Sequence, residues 1–354
     1  MDNILLTTGG TGGHIFPALA VAEELRRRNP NANLLFVGSL YGPEERLMRQ
    51  AGIPFEGLPV RGLLGRGFKA VGAGAQMALA VAKAVGIIRR FKPDVVAGFG
   101  GYAAFAPMLA GRLMGVPGVL HEQNAIAGAS NRFLARIARR VCISLPNTSG
   151  FDMKKCVFTG NPVRAAVTAV GQLSRQRQSR RLLVMGGSQG AHALNAFMLD
   201  NLAEFRGAGV EIRHQTGVTD EGRVRAAYVA AGYAPECVSA FIDDMAGAYA
   251  WADVALCRAG ASTVAELCAA GLPSVLVPFP YAIHDHQTRN AEVLTRSGAA
   301  VLVPEGRMSV QRMSDILLRL LTMPGEREPM AAAALSAARP DAAARVVAVL
   351  EETA

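Results

Sequence analysis

Residues 3–14 read NILLTTGGTGGH, an apolar run that leads into four glycines, a threonine and a histidine. The run predicts a β-strand, and the pattern from Ile15 onward predicts a helix. Glycines at this junction let the backbone turn sharply and approach a ligand closely. The first amides of a helix carry partial positive charge, so the loop suits a diphosphate or sugar oxygens. A tight turn that binds nothing explains one such loop equally well.

A second loop of the same kind opens the other half of the chain. Residues 182–192 read LLVMGGSQGAH, again an apolar run, paired glycines, a hydroxyl residue and a histidine. The two glycine pairs begin at residues 9 and 186, half of the 354-residue chain apart. Two similar α/β domains are therefore expected, each with a ligand loop after its first strand.

Strand and helix patterns alternate through both halves. Apolar strands that are each followed by a helix predict parallel sheets covered on both faces, with ligands at the carboxyl ends of the strands. The predicted strands are 4–8, 34–38, 53–60, 94–99, 118–122 and 140–144, then 182–186, 209–215, 237–242, 253–257, 274–278 and 300–303. The predicted helices of the first half are 15–28, 43–51, 69–92, 102–114 and 126–139. The tail 327–353 is helical in pattern and is broken by Pro340.

Positive charge is concentrated in the first half. Residues 1–160 hold 19 Lys and Arg against 9 Asp and Glu, whereas residues 161–354 hold 18 against 19. A basic domain beside a neutral one predicts an anionic partner, either a phosphorylated substrate or an acidic membrane face, although a merely basic protein fits too. Nucleic acid is not expected, because helix-turn-helix, zinc-finger and RNP signatures are missing and aromatic residues are few.

The apolar segment 69–92 has cations at its ends and middle, and Arg61 and Arg66 precede it. It could lie on an anionic membrane, but a helix that covers the sheet is the favoured interpretation. Uninterrupted apolar runs of membrane-spanning length are missing, as is a signal-peptide pattern at the N-terminus. The five cysteines form no CxxC pair, which is typical of free thiols in a reducing cytoplasm.

Several enzyme classes lack their motif. The dinucleotide pattern G-x-G-x-x-G fails, because Ile15 stands where the third glycine belongs when the pattern starts at Gly10. The P-loop motif and the G-x-S-x-G elbow are both missing. A metal site at His284-Asp285-His286 is not expected, because alternate residues near a helix start rarely converge on one ion. Contact with a sugar is favoured there, especially from Gln287.

The stretch 257–267, CRAGASTVAEL, predicts a phosphate-binding helix start. Ser262 and Thr263 would offer amides and hydroxyls to an α-phosphate, and Glu266 could accept two ribose hydroxyls. Thr263 and Glu266 also have the spacing of a capping box, an ordinary way to begin a helix, and the two interpretations are not exclusive.

Together these motifs closely resemble the MurG family of peptidoglycan N-acetylglucosaminyltransferases over nearly the whole chain. The motifs, in family order, are GGTGGH (9–14), GGY (100–102), HEQN (121–124), GNPVR (160–164), GGSQG (186–190), FIDDM (241–245) and ASTVAE (261–266). The resemblance implies the α/β GT-B fold, with two Rossmann-like domains whose parallel sheets face each other across a cleft. Residues 1–162 would form the acceptor- and membrane-facing domain and 163–335 the UDP-GlcNAc domain, with a last helix at about 336–354 returning to the first.

The resemblance also implies residue roles. Uracil would meet the backbone at Ile242 and ribose would meet Glu266. The remaining donor contacts would come from Arg164, Ser188, Ala261, Ser262, Thr263, Val264 and Ala265 at the nucleotide, and from Thr11, Gly12, Gly13, Asn124 and Gln287 at GlcNAc. The acceptor side would include Gly100, Gly101, Tyr102 and His121. Residues 103–107 read AAFAP where smaller, more polar residues are expected, which leaves the contacts of this loop open.

The implied reaction moves GlcNAc from UDP-GlcNAc to the C4 hydroxyl of MurNAc in lipid I, the undecaprenyl-diphosphate-linked MurNAc-pentapeptide. The enzyme would sit peripherally on the cytoplasmic face of the inner membrane and serve peptidoglycan synthesis, cell shape and division. Neither a cofactor nor a metal is expected, since the sequence has no DxD motif. His14 is the first candidate for the general base and Glu122 the second; a plain hydrogen-bonding role for His14 is the alternative. A UDP-GlcNAc 2-epimerase and a non-catalytic nucleotide-sugar-binding adaptor at the membrane remain the competing functions.

Overall fold

The computed structural model describes residues 1–10, 12–60, 70–173, 179–187, 189–282, 285–307 and 310–354. They divide into two compact units: unit 1 is Met1–Arg164 with Arg339–Ala354, and unit 2 is Ala165–Ala338. Each unit is a parallel sheet with helices, which confirms the predicted α/β class with two Rossmann-like domains. The separate acceptor and donor roles given to the domains stay predictions.

The described part of unit 1 contains one seven-stranded parallel sheet in the order β3-β2-β1-β4-β5-β6-β7. Its strands are β1 (Asn3–Thr7), β2 (Asn33–Ser39), β3 (Phe55–Leu58), β4 (Val95–Gly98), β5 (Gly118–Glu122), β6 (Arg140–Ile143) and β7 (Cys156–Phe158). Its first helices are α1 (Gly12–Arg28), α2 (Glu44–Gln50), α3 (Ala70–Phe91), α4 (Phe105–Leu113) and α5 (Ala129–Ile137). The edge strand β7 was not predicted, because it has only three residues and all are half-buried.

Unit 2 repeats the plan, with a parallel sheet in the order β10-β9-β8-β11-β12-β13 over its described residues. The strands are β8 (Arg181–Met185), β9 (Glu211–Gln215), β10 (Val238–Ser239), β11 (Val254–Cys257), β12 (Ser274–Leu276) and β13 (Ala300–Leu302). The helices are α6 (Ala165–Val170), α7 (His192–Gly207), α8 (Glu221–Ala230), α9 (Met245–Trp251), α10 (Ala261–Ala270), α11 (His286–Arg296), α12 (Val310–Thr322) and α13 (Pro324–Ala337).

In both sheets the strand order reverses beside the first strand of the unit. The reversal falls between β1 and β4 in unit 1 and between β8 and β11 in unit 2. Loops on the two sides of such a point leave a crevice at the carboxyl ends of the strands, where α/β proteins bind ligands. Each glycine loop follows the first strand of its unit and therefore lies at this point.

The final helix, α14 (Ala342–Thr353), belongs to unit 1 and packs against α1. Its apolar side chains Val346, Val347 and Leu350 are buried in the core beneath the β1 strand. Pro340 lies between α13 and α14, where the sequence predicts that the helical tail is broken.

Helix α3 covers the sheet of unit 1, as the favoured interpretation of 69–92 predicts. Ala80, Ala84, Ile87 and Ile88 are buried against strands of the sheet, whereas Leu79 is 62% exposed. Arg61, Arg66 and Lys69 lie outside the described residues. Throughout the described ranges, helices of sufficient length and hydropathy to cross a membrane are absent.

Two glycines let the loops after β1 and β4 interlock. Gly101 has a φ of +77°, and a Cβ there would stand 1.9 Å from the carbonyl oxygen of Gly9. A Cβ on Gly9 would in turn stand 2.4 Å from that of Ala103. The Gly9 N–H donates to Gly100 O at 3.3 Å, and the Thr8 hydroxyl donates to the same oxygen at 3.1 Å. Part of the glycine requirement therefore comes from packing between loops rather than from a ligand.

Replacing Gly101 with Ala should destabilise unit 1 by about 2–4 kcal/mol, because the substitution combines a positive φ with a backbone clash. Gly86→Ala is the matched control: Gly86 is in α3, exposed, and has open space around its Cβ position. That variant should gain up to about 1 kcal/mol of stability. Urea unfolding of both proteins measures the difference, and equal midpoints would contradict the interlock.

Candidate functional site

The first glycine loop continues directly into α1. The helix begins at Gly12 rather than at the predicted residue 15, so Gly12, Gly13 and His14 form its first turn. Amides of a first turn lack partners within the helix and point toward its N-terminal end. Gly12 and His14 are half-buried and Gly13 is exposed. Thr11 lies outside the described residues.

His14 is connected to the loop after β5. Its Nδ1 lies 2.9 Å from Oε1 of Gln123. Gln123 is buried, and its Nε2 donates to the carbonyl of Phe99 at 2.8 Å and lies 3.2 Å from Nδ1 of His121. These contacts join the ends of β1, β4 and β5, with residues up to 109 positions apart in the chain.

His121 is the buried end of this chain of contacts. Its Nε2 lies 3.2 Å from the carbonyl oxygen of Gly160, and its side chain packs against the Phe99 ring. Burial lowers the pKa of His121 to about 4, so the imidazole is neutral at physiological pH. His121 is only 1% exposed, and its acceptor-side role stays a prediction.

Glu122 organises the loop that follows β5. Its Oε1 accepts hydrogen bonds from the backbone N–H and the side-chain Nδ2 of Asn124, both at 3.0 Å. Its Oε2 accepts from Asn131 Nδ2 at 2.8 Å and from the Gly128 N–H at 3.3 Å. The carboxylate is 1% exposed, so its oxygens serve the loop and hold Asn124 in place.

Glu44, the first residue of α2, holds the backbone of the first glycine loop. It is fully buried, and its Oε1 accepts the N–H of Gly10 at 3.1 Å. Burial raises the pKa of this carboxyl, although the Gly10 hydrogen bond opposes that shift. Gly10 has a φ of +108°, and this contact helps to hold it there. The sequence gives no sign of this role, since an acidic residue at the start of a helix is ordinary.

The remaining unit 1 candidates surround the same loop. Tyr102 is half-buried, with its ring 3.7 Å from the position a Gly10 Cβ would take. The Arg164 guanidinium stacks over the ring of Phe16 at 4.4 Å from the ring centroid. Phe16 belongs to α1, so Arg164 lies beside the helix whose first turn contains His14.

The second glycine loop is packed in the same manner as the first. Gly190 has a φ of +77°, and a Cβ there would stand 2.1 Å from the carbonyl oxygen of Thr216. Gln215 donates from Nε2 to Gly187 O at 2.8 Å. Ser188 lies outside the described residues. The amide side chain of Gln215, the last residue of β9, therefore holds the backbone of this loop.

Asn195 connects this loop to a buried polar cluster. Its Nδ2 donates to Thr216 O at 3.1 Å and to Asp220 Oδ2 at 2.8 Å, and its Oδ1 lies 3.0 Å from His214 Nε2. The hydrogen bond from Asn195 is the largest cause that lowers the pKa of Asp220 to about 2. Burial lowers the pKa of His214 to about 3, so this histidine is neutral.

Helix α10 presents the predicted ribose contact. Gly260 is the N-cap residue of α10, and the N-cap makes no side-chain hydrogen bond. Because Thr263 lies inside the first turn, the predicted capping box is wrong. Glu266 is 8% exposed and accepts the hydroxyl of buried Tyr249 at 2.8 Å. Ala261, Ser262 and Thr263 are the first three residues of the helix, and Val264 and Ala265 follow.

Two further unit 2 candidates lie in loops after strands. Ile242 follows β10, which ends at Ser239 rather than at the predicted 242, so Ile242 is loop backbone and half-buried. Gln287 is in the first turn of α11, and its Oε1 accepts the N–H of Phe279 at 2.9 Å. His284 lies outside the described residues, and within them groups of His, Cys, Asp or Glu suited to a metal ion are absent.

The structure places the unit 1 candidates around the loops after β1, β4 and β5 and beside α1; they are Gly12, Gly13, His14, Gly100, Gly101, Tyr102, His121, Glu122, Asn124 and Arg164. In unit 2, residues 261–266 begin α10, Gln287 lies in the first turn of α11, and Ile242 lies in the loop after β10. Sequence reasoning gave no role to Gln123, Glu44 or Tyr249; only Gln123 lies within a quoted motif, and its hydrogen bonds could not be read from it.

Comparison with known proteins agrees with this arrangement. Residues 4–143 match the model of the glycosyltransferase family 28 N-terminal domain, and residues 181–346 match that of the family 28 C-terminal domain. The chain belongs to glycosyltransferase family 28, which confirms the resemblance found in the sequence.

One curated relative, from Nitratidesulfovibrio vulgaris, is 53% identical over 98% of this chain and 96% of its own. It is named UDP-N-acetylglucosamine–N-acetylmuramyl-(pentapeptide) pyrophosphoryl-undecaprenol N-acetylglucosamine transferase. The crystal structure of Acinetobacter baumannii MurG is 34% identical and covers 99% of this chain and 100% of its own, with a TM-score of 0.75. A UDP-GlcNAc 2-epimerase from Neisseria meningitidis has a TM-score of 0.70 over 99% of this chain and 100% of its own; at 13% identity it shares the fold alone.

Replacing Glu122 with Gln should destabilise unit 1 by about 2–3 kcal/mol, because an amide cannot accept from every donor that now meets the carboxylate. Glu45→Gln is the control, since Glu45 is exposed and pairs with Arg49 one turn away. That change should cost less than about 0.5 kcal/mol. Urea titration measures both; unchanged stability in Glu122→Gln would contradict its role in organising the loop.

Proposed function

We propose that the protein transfers GlcNAc from UDP-GlcNAc to the C4 hydroxyl of MurNAc in lipid I, forming the β-1,4-linked disaccharide of lipid II and UDP. The observation that carries this proposal is the 53% identity, over 98% of the chain, to a relative named for that transfer. The α-linked sugar of the donor becomes β-linked, so a single displacement with inversion is sufficient. That displacement requires a base for the acceptor hydroxyl and stabilisation of the leaving diphosphate.

His14 is our choice for the base. It lies in the first turn of α1 and is half-buried. Its Nδ1 already contacts Gln123, so Nε2 is the nitrogen that would receive the proton. Glu122 is less suited, because its carboxylate oxygens accept hydrogen bonds from Asn124, Gly128 and Asn131. We therefore propose that Glu122 positions the loop after β5 and thereby holds Asn124 against the sugar.

Unit 2 would bind the nucleotide. The amides at the start of α10 and the guanidinium of Arg164 would stabilise the diphosphate, which is favourable because helix N-termini carry positive partial charge. Glu266 would accept the ribose hydroxyls while Tyr249 holds its carboxylate, and backbone at Ile242 would bind uracil. Ser188 would join the diphosphate contacts. Thr11, Gly12, Gly13, Asn124 and Gln287 would surround GlcNAc, and Gly100, Gly101, Tyr102 and His121 would shape the acceptor side.

The proposed location is the cytoplasmic face of the inner membrane, held peripherally. Unit 1 carries the excess of basic residues, and its packed helices α3, α4 and α5 expose Leu79, Leu113 and Phe133. Cations with scattered apolar side chains suit binding to an anionic membrane surface. Cosedimentation with vesicles tests this: binding should need anionic lipid and should weaken with salt.

A UDP-GlcNAc 2-epimerase is the main competing function, since such enzymes share the fold. Incubation with labelled UDP-GlcNAc, with and without a soluble lipid I analogue, separates the possibilities. Acceptor-dependent release of UDP supports the transferase, whereas isomerised sugar without acceptor supports the epimerase. Binding without turnover would indicate an adaptor and would contradict the proposal.

His14→Ala should lower turnover by about 10²–10⁴-fold, the usual contribution of a general base, while changing the affinity for UDP-GlcNAc by less than about threefold. Glu266→Gln should show the opposite pattern, since Glu266 would bind the donor. Steady-state kinetics and calorimetric titration measure the two quantities. An equal loss of turnover and affinity in His14→Ala would refute the base assignment.

Tyr249→Phe should weaken UDP-GlcNAc binding about 3- to 10-fold and leave turnover nearly unchanged, because the Glu266 carboxylate loses the hydroxyl that orients it. Tyr233→Phe is the matched control: within the described structure its buried hydroxyl has no hydrogen-bond partner. Isothermal titration with UDP-GlcNAc measures both affinities. Wild-type affinity in Tyr249→Phe would remove the support for Glu266 as the ribose contact.

A further inference from the structure

A histidine acts as a base only through a nitrogen that carries a lone pair. The neutral ring exists as two tautomers, and its surroundings decide which nitrogen holds the proton. In unit 1 the surroundings of His14 are definite, because its Nδ1 lies 2.9 Å from the side-chain amide of Gln123. Which group donates across this contact decides whether Nε2 of His14 is a base or a donor.

The orientation of the Gln123 amide is set by backbone. The Phe99 carbonyl oxygen lies 2.8 Å from Nε2 of Gln123 and can only accept a hydrogen bond. The opposite amide orientation would place two acceptor oxygens against each other. The NH₂ group therefore faces Phe99, and the carbonyl oxygen of Gln123 faces His14.

His121 holds the amide from the other side. Its Nε2 lies 3.2 Å from the carbonyl oxygen of Gly160, which also can only accept, so this nitrogen carries the proton. Burial keeps the pKa of His121 at about 4, so the ring is neutral and its Nδ1 is an acceptor. That Nδ1 lies 3.2 Å from Nε2 of Gln123 and takes its second N–H. The backbone carbonyls of Phe99 and Gly160 thus fix the direction of each hydrogen bond that links His121, Gln123 and His14.

We infer that Gln123 is a positioning residue, which with His121 holds neutral His14 as the Nδ1–H tautomer and leaves the lone pair on Nε2. The catalytic meaning of this assignment rests on the proposed function, whereas the tautomer is a property of the resting protein. In the transfer, Nε2 of His14 takes the proton of the MurNAc C4 hydroxyl while the hydroxyl oxygen bonds to the anomeric carbon of GlcNAc. The bond from that carbon to the diphosphate oxygen breaks, and its electron pair leaves with UDP. The Nδ1–H bond to Gln123 then becomes charge-assisted and stronger.

The tautomer can be measured directly by ¹⁵N NMR of protein with labelled histidine at about pH 8.5, well above the ordinary imidazole pKa of about 6.5. A His14→Asn spectrum assigns the His14 signals by difference. The inference expects a protonated Nδ1 and an unprotonated Nε2. A protonated Nε2, or a mixture of the two tautomers, overturns it. The tautomer does not depend on which reaction the protein catalyses. The tautomer assignment can therefore be wrong while the transferase proposal holds, and the transferase proposal can be wrong while the assignment holds.

Gln123→Met removes the amide but keeps a similar side-chain volume. It should populate the Nε2–H tautomer of His14 and lower kcat about 10- to 100-fold, by analogy with the loss of a partner that orients a metal-ligating histidine. KM for UDP-GlcNAc should stay within about twofold. Ser144→Ala is the control, because Ser144 Oγ lies 3.4 Å from His121 Nε2 and leaves the bonds of Gln123 intact. It should match wild type in spectrum and rate. An unchanged tautomer or an unchanged kcat in Gln123→Met contradicts the positioning role; should that variant fail to fold, the wild-type spectrum still decides the tautomer.

Discussion

The close approach of the loops after β1 and β4 is the constraint on which unit 1 depends. Gly101 takes a positive φ against the carbonyl of Gly9, and no side chain fits between the two loops. Because these loops interlock, the first turn of α1 is brought to the end of β5, where Gln123 meets His14. In unit 2 a related packing lies between the loops after β8 and β9, where Gly190 meets Thr216 and Gln215 donates to the carbonyl of Gly187. In each unit a glycine with a positive φ therefore lets two loops at the carboxyl ends of the strands approach closely.

Buried polar groups then give these loops their chemistry. Three buried residues, Glu44, Glu122 and His121, are each at most 1% exposed. Each forms hydrogen bonds that hold a loop backbone or a neighbouring side chain. Such groups are costly to bury unless they are hydrogen-bonded, so they specify one loop geometry. His14, by contrast, is half-buried, and its Nδ1 contacts Gln123. This difference in burial is why we assign proton transfer to His14 and positioning to the others.

The sequence predicted the long, apolar strands well, because burial on both faces gives them a strong signal. It placed the start of α1 three residues late, since glycines are poor helix formers and hide a first turn built from Gly12 and Gly13. It overestimated β10 and missed β7, both short strands at sheet edges. The hydrogen bond from His14 to Gln123 could not be predicted, because it joins residues 109 positions apart and depends on the interlocked loops. The substrate roles that the family resemblance assigns to individual residues stay predictions, and Thr11 and Ser188 among them lie outside the described residues.

The proposed transfer is a single displacement in which His14 removes the acceptor proton and the diphosphate leaves with inversion. It is tested by the anomeric configuration of the product formed in one turnover from UDP-GlcNAc and a lipid I analogue, read from the proton coupling at the new glycosidic carbon. A single displacement gives a β-1,4-linked disaccharide and one equivalent of UDP. An α-linked product, or sugar released without joining the acceptor, would contradict it.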